Sequence, residues 1–505
     1  MFRNDQVRKW LYESSSCSYS SSTSSEDDLP ITQGYASSVL QTMKRKLMDD
    51  SSSSSSSSED GMGTDELETE ESTYRNKGYR PRSEKRASWP CKRGPNGELV
   101  PLQPKESIWW THYVENPPLD SQRFRRTFRH RFRLPYESFV ALASMIVAET
   151  SHFKKWEKKD AVGRDASPIE LLLLGTLRYL GRGAKLDDME ENTAISAETH
   201  RLFLHAFLEF GSTTLHEKYV VFPNTIEDAH VHQIDFADAG LPGCIGSMDA
   251  THVAMHNCPA KVKNLHDSFK QSLPSRTYNM VASHRRRILH STNGLPSRYN
   301  DKTVVLFDVF VKKVHEGELL SDYQFYLLQE INGKIRKVRY SGVWFLVDNG
   351  YLNWSITVPP FKDPTTYPQR RWSKWVESIR KDVECTFGII KKRFQCLQHG
   401  VRLHGMDNVD KFWLTCCAIH NMLLDADGQN DNWNGSVDSE YVRNLGLTAG
   451  CQTERNLQVD VENLEIENET PVPVRSLTMG AFRERLVEHF DLMWRAKLVK
   501  WPARS

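Results

Sequence analysis

The sequence predicts an α/β protein, a mixed sheet flanked by helices with a mostly helical segment ahead of it. Asp249 and Asp348 each follow a short apolar run, as residues of buried strands do. A later run places Trp372, Val376, Ile379, Val383, Phe387, Ile390 and Phe394 at spacings of three and four, the buried stripe of one long helix. Phe124, Phe128 and Phe132 recur every four residues and line one face of an earlier helix.

The 505 residues suffice for two or three domains. Residues 1–106 read as a disordered tail. They are rich in serine and acid, include the unbroken run Ser51 to Ser58, and lack the apolar surface that would offset ordering entropy. The tail ends in a basic arm, Tyr74 to Arg93, so an overall balance of 66 basic and 65 acidic residues hides segregation. Lys44-Arg-Lys46 and Arg80 to Arg93 are candidate nuclear localisation signals, and a nuclear location is expected. The nine cysteines are scattered, with no Cys-x-x-Cys pair, which argues against structural zinc and a disulfide framework. No signal peptide and no membrane-spanning run are expected.

Residues 107–235 read as helical. The phenylalanine helix carries Arg123, Arg125, Arg126, Arg129, Arg131 and Arg133, and Pro135 ends or kinks it. These arginines either contact nucleic-acid phosphates or are solvated on a docked amphipathic helix. Ser167-Pro168 opens the helix Ile169 to Leu180 as cap and first residue. A short helix, Leu186 to Asn192, follows, and then Ser196-Ala-Glu-Thr starts a longer one running to Phe210. That is the layout of a helix-turn-helix, with His200 and Arg201 as candidate DNA contacts; a plain bundle is the alternative.

Residues 240–425 read as strands and helices. Cys244 to Val253, Tyr278 to Ser283, Arg287 to His290, Val343 to Val347 and Ile356 to Val358 are the candidate strands. Thr303 to His315 reads as a crossover helix, and Gly333 to Tyr340 as a basic loop. The long helix, Arg370 to Phe394, puts Glu384 beside its buried stripe and leaves an open flank at Gly388. Its end carries Lys391, Lys392 and Arg393, which suit the helix dipole or a phosphate. Residues 426–470 read as a polar linker, and 471–505 as a terminal helix that docks on the core or pairs with another chain.

Asp249, Asp348 and Glu384 form a candidate hard-cation site. Mg²⁺ takes oxygen ligands and keeps several waters, so two or three carboxylates suffice. Paired ions activate a water or a 3′-hydroxyl without a covalent intermediate. A turn at Asp348 and a solvated helix acid at Glu384 are the plain alternatives.

Around these residues the sequence resembles the PIF/Harbinger superfamily of DDE transposases. Gly246-Ser-Met-Asp249-Ala-Thr-His252 resembles its first-aspartate motif, and Val347-Asp348-Asn-Gly-Tyr351 with Pro359-Pro360-Phe361 its second. Arg380-Lys-Asp-Val-Glu384-Cys-Thr-Phe-Gly388 with Lys392-Arg-Phe394 resembles its glutamate helix, and Ala418-Ile-His-Asn421 its closing motif. The resemblance implies an RNase H-like core behind a helix-turn-helix, with Asp249, Asp348 and Glu384 as catalytic ligands of Mg²⁺ or Mn²⁺. It implies cleavage and strand transfer on double-stranded DNA at terminal inverted repeats, with AT-rich targets. A Myb-like accessory protein and a homo-oligomer are expected partners. A domesticated, non-catalytic DNA-binding or chromatin protein is the alternative. Where the family often has His-Asp, this chain has Asn300-Asp301. Asp301 is expected to cap the crossover helix, or to approach the metal site. His252 is expected to orient Asp249 as a supporting residue, and His256 to be structural.

Overall fold

The computed structural model describes residues 90–156, 166–267, 272–428, 460–461 and 463–500. The serine run, both localisation signals up to residue 89, and most of the proposed linker lie outside the described residues. Residues 90–106 do not fit the expected tail. Cys91–Arg93 (β1) pairs antiparallel with Leu99–Pro101 (β2), and Lys92 Nζ reaches Glu106 at 2.5 Å.

Helices α1 (Gln122–Phe132), α2 (Tyr136–Ala148), α3 (Ile169–Arg182), α4 (Leu186–Thr193), α5 (Ala197–Phe210) and α6 (Ile226–Asp238) follow. α1 ends at Phe132 with Arg133 in the left-handed region (φ 64°), so Pro135 does not break it; Pro135 is the N-cap of α2. The start of α3 moves one residue from expectation. Pro168, not Ser167, is its N-cap, and no side chain caps it. α4 and α5 are joined through Ala194 at φ 54°, and the Ser196 hydroxyl caps α5 by accepting from Thr199 N–H.

The central sheet runs β10 (Thr357–Val358), β9 (Trp344–Leu346), β3 (Cys244–Ala254), β4 (Ser275–Ala282), β5 (Ile288–Ser291), with β6 (Leu295–Pro296) also paired to β4. β3, β9 and β10 are mutually parallel; β4 and β5 continue the sheet antiparallel. The expected crossover helix is two helices, α7 (Asp301–Leu306) and α8 (Val309–Glu316). Asp308 breaks the run by capping α8 through Phe310 and Val311 N–H. Gly333 to Tyr340 is not a loop. It forms the turn and strand of a hairpin, β7 (Gln324–Ile331) with β8 (Lys334–Ser341), because Ile335, Val338 and Tyr340 interleave with its basic residues. Arg336 pairs with Glu465 and Glu467, and Val472–Pro473 (β11) adds to β8 in parallel, so residues 465–473 are bound to the hairpin.

Both faces of the central sheet are covered. One cluster joins Phe128, Leu172 and Phe203 of the helical segment to Tyr278 and Met280 of β4, so packing runs on across residues 235–240. The other holds Met248, Val281, Phe345 and the apolar face of α11 (Met479–Arg495) through Phe482, Leu486 and Phe490. The terminal helix therefore docks on the core. Helix α9 (Tyr367–Arg393) serves both clusters, Trp372, Val376 and Ile379 in one, Val383, Phe387 and Ile390 in the other. Among the described residues no helix is long and apolar enough to cross a membrane.

Asn421 on α10 (Met406–Ala426) accepts from Ile288 N–H and donates to the carbonyls of Ile288 and Tyr219. It satisfies the outer edge of β5 as a neighbouring strand would. Asn421→Ala strands buried backbone groups there and is expected to cost about 3 kcal/mol, read as a lowered urea midpoint.

Candidate active site

β3 and β9 bring the two motif aspartates together. Their register pairs Ser247 with Leu346, and two more residues along each chain lead to Asp249 and Asp348. Each carboxylate is oriented by a nearby backbone amide: Ala250 N–H donates to Asp249 Oδ1 and Gly350 N–H to Asp348 Oδ1, both at 2.8 Å. Asp301 joins them. It is the first residue of α7, whose cap is the Asn300 side chain, so the expected cap is corrected by one position. The Asp301 and Asp348 carboxylates straddle Gly350, where a Cβ would stand 2.9 Å from Asp301 Oδ2 and 3.0 Å from Asp348 Oδ1. A side chain at 350 would collide with both.

Glu384 faces the same region from α9, at the changeover between the two core clusters, and is 46% exposed. Arg380, one turn earlier, links it to the strand: Nη2 lies 2.9 Å from Glu384 Oε1 and Nη1 3.4 Å from Asp249 Oδ2. Burial, aided by the neighbouring Asp348 and Asp301, pushes the Asp249 carboxyl up to about 6, against the Ala250 N–H and Arg380. Beneath the acids, Tyr351 donates to Asn279 Oδ1, and Asn279 Nδ2 donates to Asp308 Oδ2 at 2.7 Å. Burial and the surrounding aspartates hold the Tyr351 hydroxyl well above its ordinary range.

Among the described residues no group of three or more His, Cys, Asp or Glu side chains is arranged to hold a metal ion. The donor chemistry nonetheless fits a hard divalent cation. Three aspartates with oxygen donors crowd one end of the sheet, and at present a guanidinium supplies the balancing charge.

Several expected contacts are corrected. His252 is three residues from Asp249 on a regular strand, hence on the opposite face, and its Nδ1 pairs with Thr277 Oγ1 at 2.9 Å; it does not orient Asp249. Lys391 is largely buried and donates to Thr251 Oγ1 and His252 O, tying α9 to β3. Arg393 is also largely buried, 3.1 Å from His420 Nδ1, and burial pushes it down to about 10. Of that trio only Lys392 is exposed. His200 is 1% exposed and bonds Thr193 Oγ1 at 2.8 Å, locking α5 to α4 instead of reading a base. Arg201 is held by both oxygens of Glu198 at 2.7 Å. On α1, Arg125 pairs with Glu137, and Arg129 binds Asp427 through two bonds of 2.8 and 2.6 Å. Arg123 and Arg126 are exposed without a partner among the described residues.

Sequence reasoning missed the roles of Arg380, Asn279 and Tyr351. Only Arg380 carried a local signal, its four-residue spacing from Glu384. The flank at Gly388 is open as expected, with nothing within 4 Å of a Cβ there. Gly388→Ala is therefore expected to stabilise the protein by about 1 kcal/mol, read by urea denaturation.

A family model described as plant transposon protein matches residues 217–431. The chain is 23% identical over 309 residues to "Protein ALP1-like" of Arabidopsis thaliana, covering 60% of this chain and 72% of that protein. It is 23% identical over 355 residues to the Arabidopsis protein named antagonist of like heterochromatin protein 1, covering 65% and 81%. It is 24% identical over 192 residues to the candidate nuclease HARBI1 of Bos taurus, covering 37% and 48%. No solved structure matches. With the motif acids gathered at one end of its sheet, residues 217–431 match a plant transposon-type domain, and the chain is similar to Harbinger-derived nucleases.

Proposed function

We propose that the protein is a metal-dependent DNA endonuclease of the transposase type, built on an RNase H-like core. The observation that carries this reading is the meeting of Asp249 and Asp348 across adjacent parallel strands with Glu384 brought alongside by α9. The strand order supports the core assignment, since the strand of the first aspartate is central and that of the second lies beside it.

Asp249, Asp348 and Glu384 would hold Mg²⁺ or Mn²⁺, with Asp301 supporting. The bound ions supply nucleophile activation and charge stabilisation at the leaving oxygen. The protein's own groups do the rest. The amides of Ala250 and Gly350 each fix one carboxylate oxygen, and the second oxygen of Asp249 faces Arg380. Asp249 must be ionised to serve, so Mg²⁺ affinity is expected to fall about tenfold per pH unit below pH 6, by calorimetric titration. Arg380 balances the charge of Asp249 and Glu384; with a cation held by these acids it would be available to face a phosphate.

The substrate is double-stranded DNA at terminal inverted repeats, with AT-rich insertion sites, a nuclear location, a homo-oligomeric assembly and a Myb-like assistant. The second reading is a domesticated DNA-binding or chromatin protein. It is favoured by Glu384 being held in an ion pair and by the chromatin-related name of one Arabidopsis relative. Incubation with DNA bearing the terminal repeats, with and without Mg²⁺ or Mn²⁺, separates the two. Metal-dependent cleavage at the repeat ends, lost in Asp348→Ala, supports the nuclease; binding without cleavage, with the Myb-like assistant present, supports the second reading.

A further inference from the structure

Four of the described arginines that lack carboxylate partners gather in one place, away from the helix α5 expected to read DNA. Arg131 at the end of α1, Arg133 just beyond it, and Arg178 and Arg182 in the last turns of α3 come together there. Arg131, Arg178 and Arg182 line a cleft of about 400 Å³, backed by Trp109 and Tyr113. What holds them is neutral: Arg131 donates to the Tyr113 hydroxyl, Arg178 to Arg131 O at 3.4 Å, and Arg133 to Gly181 O at 3.5 Å. The one acid on the cleft, Asp188, accepts from Lys185 N–H at the start of α4. Burial, and then the nearby charges of Arg182, Arg131 and Arg133, disfavour the charged form of Arg178. Arg178 and Arg182 are also four apart on one helix, where like charges repel.

Such an arrangement works against folding and suits an anion. Guanidinium groups converging without carboxylate partners match the oxygens of a phosphate. Along α1, Arg123 lies on the same flank as Arg131, about 12 Å away by helical rise, so the cleft continues into an exposed basic strip. A strip with a deep end fits a polyanion better than a single small ion. We propose that this cleft anchors a backbone phosphate of nucleic acid, and that the helical segment holds DNA here and not through α5. The proposal rests on the DNA-processing reading above.

The test measures binding of the full chain to fluorescent duplex DNA in EDTA, over a series of salt concentrations. Arg178→Gln/Arg182→Gln is compared with wild type and with Lys312→Gln/Lys313→Gln, an equal charge change on α8. The cleft variant is expected to lose roughly tenfold or more in affinity near physiological salt and about two units of the salt slope. It is also expected to melt no lower than wild type, because mutual repulsion is relieved; a structural role would lower its melting temperature. Wild-type affinity and slope in the cleft variant overturn the cleft while leaving DNA binding intact. Equal losses in the cleft and α8 variants overturn it as a site and show only general charge. A phosphoserine peptide that displaces the probe at lower concentration than duplex DNA overturns the nucleic-acid assignment. Absence of DNA binding by wild type overturns both readings.

Discussion

Asp249→Asn is expected to abolish metal-dependent cleavage while making the metal-free protein more stable by about 3 kcal/mol at pH 7. The Asp249 carboxyl is raised from 3.8 to about 6 in the folded state, chiefly by burial. The folded protein therefore binds this proton more tightly than the unfolded chain does. Stability falls as pH rises from about 4 to 6, and the full cost is present above 6. Asparagine keeps an acceptor for the Ala250 N–H and removes the charge, while Arg380 retains Glu384. Urea denaturation in EDTA at pH 5 and pH 7 reads the effect: the gain is expected to be larger at pH 7. Excess Mg²⁺ is expected to stabilise wild type by mass action and to close the gap between the two proteins. Equal stability of the two proteins in EDTA at pH 7 would show that burial does not disfavour the charged form of Asp249.

Asp382→Ala is expected to cost about 3 to 5 kcal/mol. This carboxylate, two residues before Glu384, is fully buried and accepts from His284 Nδ1 and, at 2.6 Å, from Arg286 Nη1. Both donors lie on the turn between β4 and β5, so the pair fixes the rotation of α9 relative to the sheet. Removing the acid leaves a buried guanidinium without its charge partner, the costly way to break such a pair. Replacing both partners, Asp382→Leu with Arg286→Met, is expected to recover most of the loss in urea denaturation. Cleavage is not expected to recover with it, because the anchor that aims Glu384 is gone. A double variant with wild-type cleavage would refute that link.

What sequence disclosed here was periodic or local. The stripe from Trp372 to Phe394 announced α9, and the apolar runs before Asp249 and Asp348 announced two strands. Whether Asn300 or Asp301 caps α7 was undecidable locally, since both side chains cap helices well; the cluster around Gly350 decides it. The supporting role expected of His252 failed on strand parity, which hinges on where the regular strand begins. The arginine partners were out of reach for another reason. Arg129 meets Asp427 and Arg336 meets Glu467, pairs nearly three hundred and about one hundred and thirty residues apart. A basic run therefore looked available for DNA when much of it was already engaged at home.

The docking of α11 has a consequence for synthesis. Phe482 meets Phe325 and Trp344, and β11 extends the hairpin sheet, so a wall of the core arrives more than a hundred residues after the strands it covers. At ribosomal speeds of about 5–20 residues per second, those strands wait roughly 7 to 30 seconds for their cover. The core is thus completed only after that interval, during which its exposed apolar face is a natural client for a chaperone.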